Sequence, residues 1–181
     1  MRIWAAPNEA VTGWISIVRG GRDWARHFSL TMAGLVTALV LFVFFALLSV
    51  ALASANVGMA TPIGLVVGIL FQAISILALV VAIISTNRAV PAAAPLIALF
   101  VPGIYVLVFY LVAGTLLSQL AGPLLIPLWI MLGFLFYRLG RMAGGWTMGV
   151  SSAFAVLTLV LLVGVPMTIY MLLGPVAAPT L

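Results

Sequence analysis

The side chains that could carry acid–base chemistry lie almost entirely in the first 28 residues. Glu9, Asp23 and His27 are the only carboxylates and the only histidine, and there is no cysteine. Asp23 precedes His27 by one helical turn, a spacing at which a carboxylate can orient a histidine base for a serine nucleophile. The alternative is a solvated contact at a membrane surface, which we favour because the pair lies in a polar segment. We expect no enzymatic activity.

Metal binding and proton relay have no basis in this composition. One histidine, two separated carboxylates and no cysteine cannot close a metal site. Beyond residue 28 the only charged residues are Arg88, Arg138 and Arg141, and none of them falls inside an apolar stretch. An apolar interior without ionisable groups offers no proton path and no carboxylate site for a cation. We therefore expect no cofactor, and transport coupled to protons or sodium is disfavoured.

The overall composition excludes a water-soluble globule. Of the 181 residues, 66% are hydrophobic and 5% are charged, against about 25% charged in soluble domains. The mean hydropathy is +1.42 and the sequence pI is about 10.9. All seven basic residues are arginines, and because most of them flank apolar stretches, the high pI indicates membrane topology rather than a nucleic-acid partner.

Five apolar stretches are each close to the roughly 20 residues that cross a hydrocarbon core. They cover residues 30 to 54, 63 to 86, 95 to 117, 120 to 137 and 147 to 173. The predicted fold is therefore all-α, a polytopic bundle of five transmembrane helices. Residues 1–29 form a cytoplasmic or interfacial segment before this domain of residues 30–173, and residues 174–181 form a short extracytoplasmic tail.

The arginines predict the orientation of this bundle. With five crossings, all seven fall on one side of the membrane, and the positive-inside bias makes that side cytoplasmic. We expect a bacterial inner-membrane protein with a cytoplasmic N-terminus and an extracytoplasmic C-terminus. The motif Ala53-Ser54-Ala55 satisfies the small-residue rule for signal-peptide cleavage, but the preceding apolar span is longer than the usual core, so we favour an uncleaved signal anchor.

An amphipathic helix is predicted in the N-terminal segment. Its apolar face recurs at helical spacing and consists of Val11, Trp14, Ile15 and Val18. Asn8 is the predicted N-cap, and the helix should weaken at the pair Gly20-Gly21. We expect this helix to lie on the membrane surface with tryptophans as interfacial anchors, and the alternative is a short polar tail packed on its own bundle.

A stripe of small and weakly polar residues follows one face of the second span. It consists of Gly64, Gly68, Gln72 and Ser75. Small residues at this spacing let a second helix approach closely, and a glutamine amide can then donate a hydrogen bond across the contact. We predict a helix-packing face, which is used either within this bundle or against another chain.

Three spans contain a helix breaker. The residues are Pro102 with Gly103, Pro127, and Pro166 with the nearby Gly164. A proline removes one intrahelical hydrogen bond, and in lipid the freed carbonyl needs a neighbour or a water-lined cavity. These positions are possible hinges of a transporter, and the alternative is ordinary kinks in a packed bundle. Tyr105, Tyr110 and Gln72 are candidates for a shared polar pocket, although their convergence cannot be read from the sequence.

Positive charge at the cytoplasmic head-group level is the last feature. It comes from Arg19, Arg22 and Arg26 in the N-terminal segment and from Arg138 and Arg141 beside the fifth span. Each arginine near an anionic surface is attracted by about 1 kcal/mol. We predict contacts with anionic lipids, and the alternative is that these arginines determine topology and nothing more.

The order of a short N-terminal segment and five closely spaced spans resembles the Yip1-like membrane proteins. The stretch Phe136-Tyr-Arg-Leu-Gly-Arg-Met-Ala-Gly-Gly-Trp146 also resembles polytopic inner-membrane proteins of alphaproteobacteria. Either resemblance implies an accessory or trafficking-type membrane protein and transfers no functional residue. The first hypothesis is thus a non-catalytic accessory subunit that packs against partner membrane proteins, a second copy of itself or lipids. The second is a small oligomeric channel or transporter for an uncharged or amphipathic solute, which requires a polar cavity.

Overall fold

The computed structural model describes residues 5–57, 62–120 and 125–173, and in these ranges every regular element is a helix. A short 3₁₀ helix, Arg22–His27, follows the first α-helix, and a π-helical turn, Val160–Gly164, joins the last two. The α-helices are α1 Ala5–Arg19, α2 Met32–Val57, α3 Pro62–Ala89, α4 Ile97–Leu120, α5 Leu125–Met142, α6 Met148–Leu159 and α7 Val165–Leu173. The all-α prediction is confirmed.

Four helical segments in the described ranges are long and apolar enough to cross a membrane. They are Met32–Leu52, Gly68–Ala89, Ile97–Leu117 and Met148–Ile169, the last of which runs through α6, the π-turn and α7. The predicted span at residues 120 to 137 corresponds to α5, which is not among the four. Its 18 residues include Arg138 and Arg141, because the helix continues about one turn beyond the predicted apolar stretch.

The turns on one side of the bundle are bonded to each other. The amide of Ala93 donates to the carbonyl of Gly144 at 2.9 Å, which joins the turn after α3 to the turn after α5. The Trp146 indole N–H donates across the same two turns to the carbonyl of Val90, at 3.0 Å. Since α4 and α6 begin where α3 and α5 end, neighbouring helices run antiparallel, and we call this side the arginine end because Arg88, Arg138 and Arg141 lie there.

The N-terminal segment packs onto α4 and α5 at the arginine end. Helix α1 ends at Arg19, and Gly20 has a φ of +79°, a conformation that glycine adopts without steric cost. The predicted break at Gly20-Gly21 is thus confirmed. The prediction of Asn8 as N-cap is wrong, because the helix already begins at Ala5.

The face of α1 that meets the bundle shares only Trp14 with the predicted apolar stripe, and Trp14 is half-buried against the core. Ala10 and Ile17 are buried, and a Cβ on Gly13 would lie 2.5 Å from the Phe28 ring. Ala10 and Gly13 let the helix approach its neighbours closely on this face, whereas Val11, Ile15 and Val18 of the predicted stripe are exposed. Val11 is 59% exposed and Ile15 46% exposed.

Candidate functional site

A polar cavity of about 340 Å³ lies between α2, α3, α4 and the π-turn with α7. Its lining residues are Ser49, Phe71, Gln72, Ser75, Tyr110, Leu111, Gly114, Thr115, Leu162, Val163 and Pro166. Helices with a rise of about 1.5 Å per residue place Ser49 roughly 25 Å along α2 from Met32. The cavity therefore lies away from the arginine end.

Five of the lining residues carry a hydroxyl or an amide, and they come from three helices. Ser49 and Thr115 lie on the adjacent helices α2 and α4, and their hydroxyl oxygens are 2.9 Å apart in a hydrogen bond. Gln72 and Ser75 are three residues apart on α3, which is the spacing of one helix face. Tyr110 and Thr115 line the wall formed by α4. The polar side chains thus converge although each is isolated in an apolar helix.

A glycine and a proline are among the residues that line this cavity. Gly114 has no side chain, and a Cβ added there would find its nearest neighbour, Leu128, at 3.7 Å. Pro166 follows the π-turn and has no N–H, so the carbonyl of Leu162 has no α-helical partner at that position. Pro166 and Leu162 both line the cavity. A missing side chain and an interrupted helix therefore coincide with the polar groups, as is frequent where a π-turn occurs at a functional site.

The cavity is closed toward the arginine end by fully buried leucines. Leu79 lies one turn from Ser75 on α3, and Leu107 lies one turn from Tyr110 on α4; both have 0% exposure. A Cβ on Gly103 would lie 3.1 Å from the Leu79 side chain, so α3 and α4 approach closely at this level. Leu79 and Leu107 are thus packed between the cavity and the arginine end, and packed interiors leave no gap for water.

None of the described residues that line the cavity carries a charge. Within the described ranges, no group of three or more histidine, cysteine or acidic residues is placed to hold a metal ion. Hydroxyls and an amide can donate and accept hydrogen bonds to a neutral molecule, but they cannot neutralise an ion taken out of water. The chemistry of the lining therefore matches a small uncharged polar solute.

The predicted packing stripe separates into two parts. Gly68 contacts α2, where a Cβ would lie 2.9 Å and 3.0 Å from the two γ-methyls of Val50. Gln72 and Ser75 continue the same face but line the cavity. Gly64 is not among the residues whose surroundings the structure describes. The face is thus occupied within this chain, by close packing at Gly68 and by the cavity beyond it.

The three polar-pocket candidates also separate. Gln72 and Tyr110 line the cavity, whereas Tyr105 lies beside the N-terminal segment, with its ring centroid 6.0 Å from that of Phe28. Sequence reasoning missed Ser49, Thr115 and Gly114. Their only signal was a weakly polar or small residue in an apolar helix, and that signal has no meaning until two helices are known to pack side by side.

Two of the predicted lipid-binding arginines donate hydrogen bonds within the protein. Arg138 donates from Nε and Nη2 to the carbonyl of Ile17, at 3.2 Å and 2.9 Å, and Arg141 donates to the carbonyl of Trp146 at 2.7 Å. The Arg138 bonds join α1 to α5, and the Arg141 bond joins α5 to the turn that leads into α6. Arg19 is exposed. Lipid contacts of these arginines stay a prediction.

Arg26 and Asp23 of the 3₁₀ helix lie at the surface. Arg26 approaches Asp23 at 3.6 Å, with side chains 84% and 73% exposed, and exposed pairs of this kind contribute little to stability. The carboxylate considered for a histidine dyad is thus paired with an arginine instead. Arg22 belongs to the same 3₁₀ helix, and its side chain is outside the described residues.

The predicted hinges have different environments. Pro102 and Gly103 are buried inside α4, and Gly103 serves the close contact with Leu79. Pro127 lies in the first turn of α5. The N–H groups of a first turn have no intrahelical acceptor, so a proline there removes no hydrogen bond and does not interrupt the helix. Only Pro166 adjoins both an irregular turn and the cavity. Of the predicted positions, it is the one whose motion would change the cavity.

Comparison of the chain with models of known families, with curated proteins and with solved structures finds no match. None of these comparisons therefore supports the resemblance to Yip1-like proteins.

Proposed function

We propose that the protein is an integral membrane protein of the bacterial inner membrane with five crossings, in which α5 is the fourth. Support comes from the packing of α5 against α4 and α6 and from the gathering of arginines at one end. The positive-inside bias assigns the arginine end to the cytoplasm. The polar cavity then lies in the extracytoplasmic half of the bundle.

We further propose that this cavity binds a small uncharged polar solute and that the protein moves such a solute across the membrane. The observation that carries the proposal is the convergence of five polar side chains on one cavity of about 340 Å³. Isolated hydroxyls and amides in hydrocarbon cost free energy, so membrane proteins place them where they bind a partner. At about 30 Å³ per water, the cavity has room for on the order of ten waters, or for a polyol of a few carbons.

The closed end of the cavity implies a carrier rather than an open pore. Leu79 and Leu107 separate it from the arginine end, so passage requires helices to move apart there. Pro166 and the π-turn supply the place at which α6, which packs against α3, can move relative to α7, because this segment lacks a regular hydrogen-bond ladder. The solute would enter from the extracytoplasmic side, exchange its water for the Gln72 amide and the hydroxyls, and leave after this movement.

An accessory subunit is the second candidate, and it stays a prediction. It requires a face for a partner chain, but the small-residue stripe that suggested one is occupied within this chain at Gly68. A solute flux separates the two candidates, because an accessory subunit alone produces none.

Flux through the purified protein tests the proposal. Proteoliposomes are exposed to gradients of glycerol, urea and erythritol, and their volume is followed by stopped-flow light scattering. We expect at least one of these solutes to enter several-fold faster than into protein-free liposomes. Ser75→Leu should reduce that flux at least ten-fold, because Ser75 is buried on the cavity lining and leucine replaces its hydroxyl with a larger apolar side chain.

Gly149→Leu is the matched control, since a Cβ at Gly149 meets nothing within 4 Å. It should transport like the unaltered protein. Entry of all three solutes at the protein-free rate, or equal flux through the two leucine variants, would contradict the proposal.

A further inference from the structure

A second cavity, of about 560 Å³, lies between α1, α2, α4 and α5, and we call it the apolar groove. Thirteen of its fourteen lining residues are hydrophobic, and the exception is Arg19. Val108 and Val112 form its wall on α4, and Met131 contributes from α5. The groove shares no lining residue with the polar cavity, so it is a separate feature of the bundle.

The exposed face of α1 borders this groove. Helix α1 packs on the bundle through Ala10 and Ile17, and its Val11, Ile15 and Val18 line the groove instead. No described segment of the chain covers them. Exposed apolar residues are ordinary lipid-facing surface in a membrane chain, and these three differ from the others in lining a concave groove.

Arg19 is the one charged residue among the described residues that line the groove. Arg19 is the last residue of α1 and is exposed. The following residue, Gly20, lies next to a second guanidinium, since a Cβ there would be 3.1 Å from Arg138 Nη2. On α4 the groove runs from Tyr105 to Val112, roughly 10 Å at about 1.5 Å per residue. An apolar groove with a cationic residue on its lining is complementary to a lipid with an anionic head group.

We propose that the apolar groove binds one acyl chain of an anionic glycerophospholipid, whose phosphate is held by Arg19. The acyl chain covers the apolar face of α1 and so fixes the N-terminal segment against α4 and α5. Basic residues between helices on the cytoplasmic side bind anionic head groups in this manner. The occupant is a lipid rather than a protein helix because the charged residue lies only at the head-group level.

Native mass spectrometry of the full-length protein in mild detergent tests this site. Phosphatidylglycerol, phosphatidylcholine and inorganic phosphate are titrated separately, and folding of each variant is checked by thermal melting. We expect phosphatidylglycerol to bind more tightly than phosphatidylcholine and free phosphate not to be retained. Arg19→Gln should weaken phosphatidylglycerol binding about five-fold, which corresponds to about 1 kcal/mol for one arginine. Ile15→Trp should weaken both lipids, because its ring fills the groove.

Arg26→Gln and Val36→Trp are the matched controls. Arg26 is exposed and outside the groove, and Val36 is 58% exposed on α2 and does not line it. Both should leave lipid binding unchanged. Equal binding of the two lipids, retention of free phosphate, or an equal effect of Arg19→Gln and Arg26→Gln would overturn the site. If Ile15→Trp has no effect on either lipid, the acyl chain does not occupy the groove.

Discussion

Trp146→Ala is expected to lower the free energy of unfolding by about 3 to 5 kcal/mol, the cost of removing a large buried aromatic side chain. The indole is 2% exposed, lies 5.2 Å from the Phe154 ring, and donates to the carbonyl of Val90 at 3.0 Å. Gly140 and Gly144 both approach it, and a Cβ on Gly144 would lie 2.7 Å from the ring. This residue therefore joins the two turns of the arginine end.

Unfolding of the full chain in mixed micelles by increasing dodecyl sulfate measures the effect. Trp146→Phe should cost less than Trp146→Ala because the ring is kept, but it leaves the Val90 carbonyl without its donor. Phe134→Ala is the control, since Phe134 is 47% exposed on α5. If Trp146→Ala and Phe134→Ala differ by less than about 1 kcal/mol, Trp146 does not hold the turns together.

Gly68→Leu is expected to destabilise the bundle by at least about 1 to 3 kcal/mol, the usual cost of overpacking. Even the first added carbon would lie 2.9 Å from a methyl of Val50, and the rest of the leucine has to displace α2 from α3. The same unfolding measurement applies. Gly149→Leu is the matched control, because a leucine there meets no neighbour.

A double substitution identifies the contact. Gly68→Ala should be destabilising alone and much less so in combination with Val50→Ala, because the shortened side chain removes the two methyls that the alanine meets. Additive effects of the two alanines would show that Gly68 and Val50 do not press on each other.

The helices were predictable from the sequence because apolar length alone determines them in a membrane chain. The end of α1 at Gly20-Gly21 was also predictable locally, because glycine adopts a positive φ at low cost and so ends helices. The end of α5 was not: the predicted span stopped before Arg138, whereas the helix extends to Met142. Arg138 lies within this helix end because its guanidinium donates to the carbonyl of Ile17, a partner more than a hundred residues away.

Which helix faces meet could not be predicted from residue type. Leu77 is 60% exposed and Leu79 fully buried on the same helix. A leucine facing lipid and a leucine facing another helix are in equally apolar surroundings, so hydrophobicity does not distinguish them. On α1, Ala10 and Ile17 are buried while Val11 is exposed, and the apolar spacing alone did not indicate which residues face the bundle.

The polar cavity was predictable only in part. Gln72 and Ser75 were recognisable as one face of α3, and Tyr110 as a polar residue within a span. The hydrogen bond between Ser49 and Thr115 depends on the side-by-side packing of α2 and α4, for which neither residue carries a local signal. The cavity exists because these two helices and the interrupted α6–α7 segment meet α3 at the same level.

Accessibility of single cysteines in intact membranes tests the central claim, a solute cavity in the extracytoplasmic half, most directly. The chain has no native cysteine. Gln72→Cys lines the cavity, whereas Leu70→Cys, at a similar depth on α3, replaces a residue 59% exposed on the outer face. A thiol reacts as its thiolate, which forms in water and not in hydrocarbon. A small, membrane-impermeant methanethiosulfonate added from outside should modify Gln72→Cys and leave Leu70→Cys unmodified. Equal protection of both cysteines, or modification of Gln72→Cys only from the cytoplasmic side, would contradict the account.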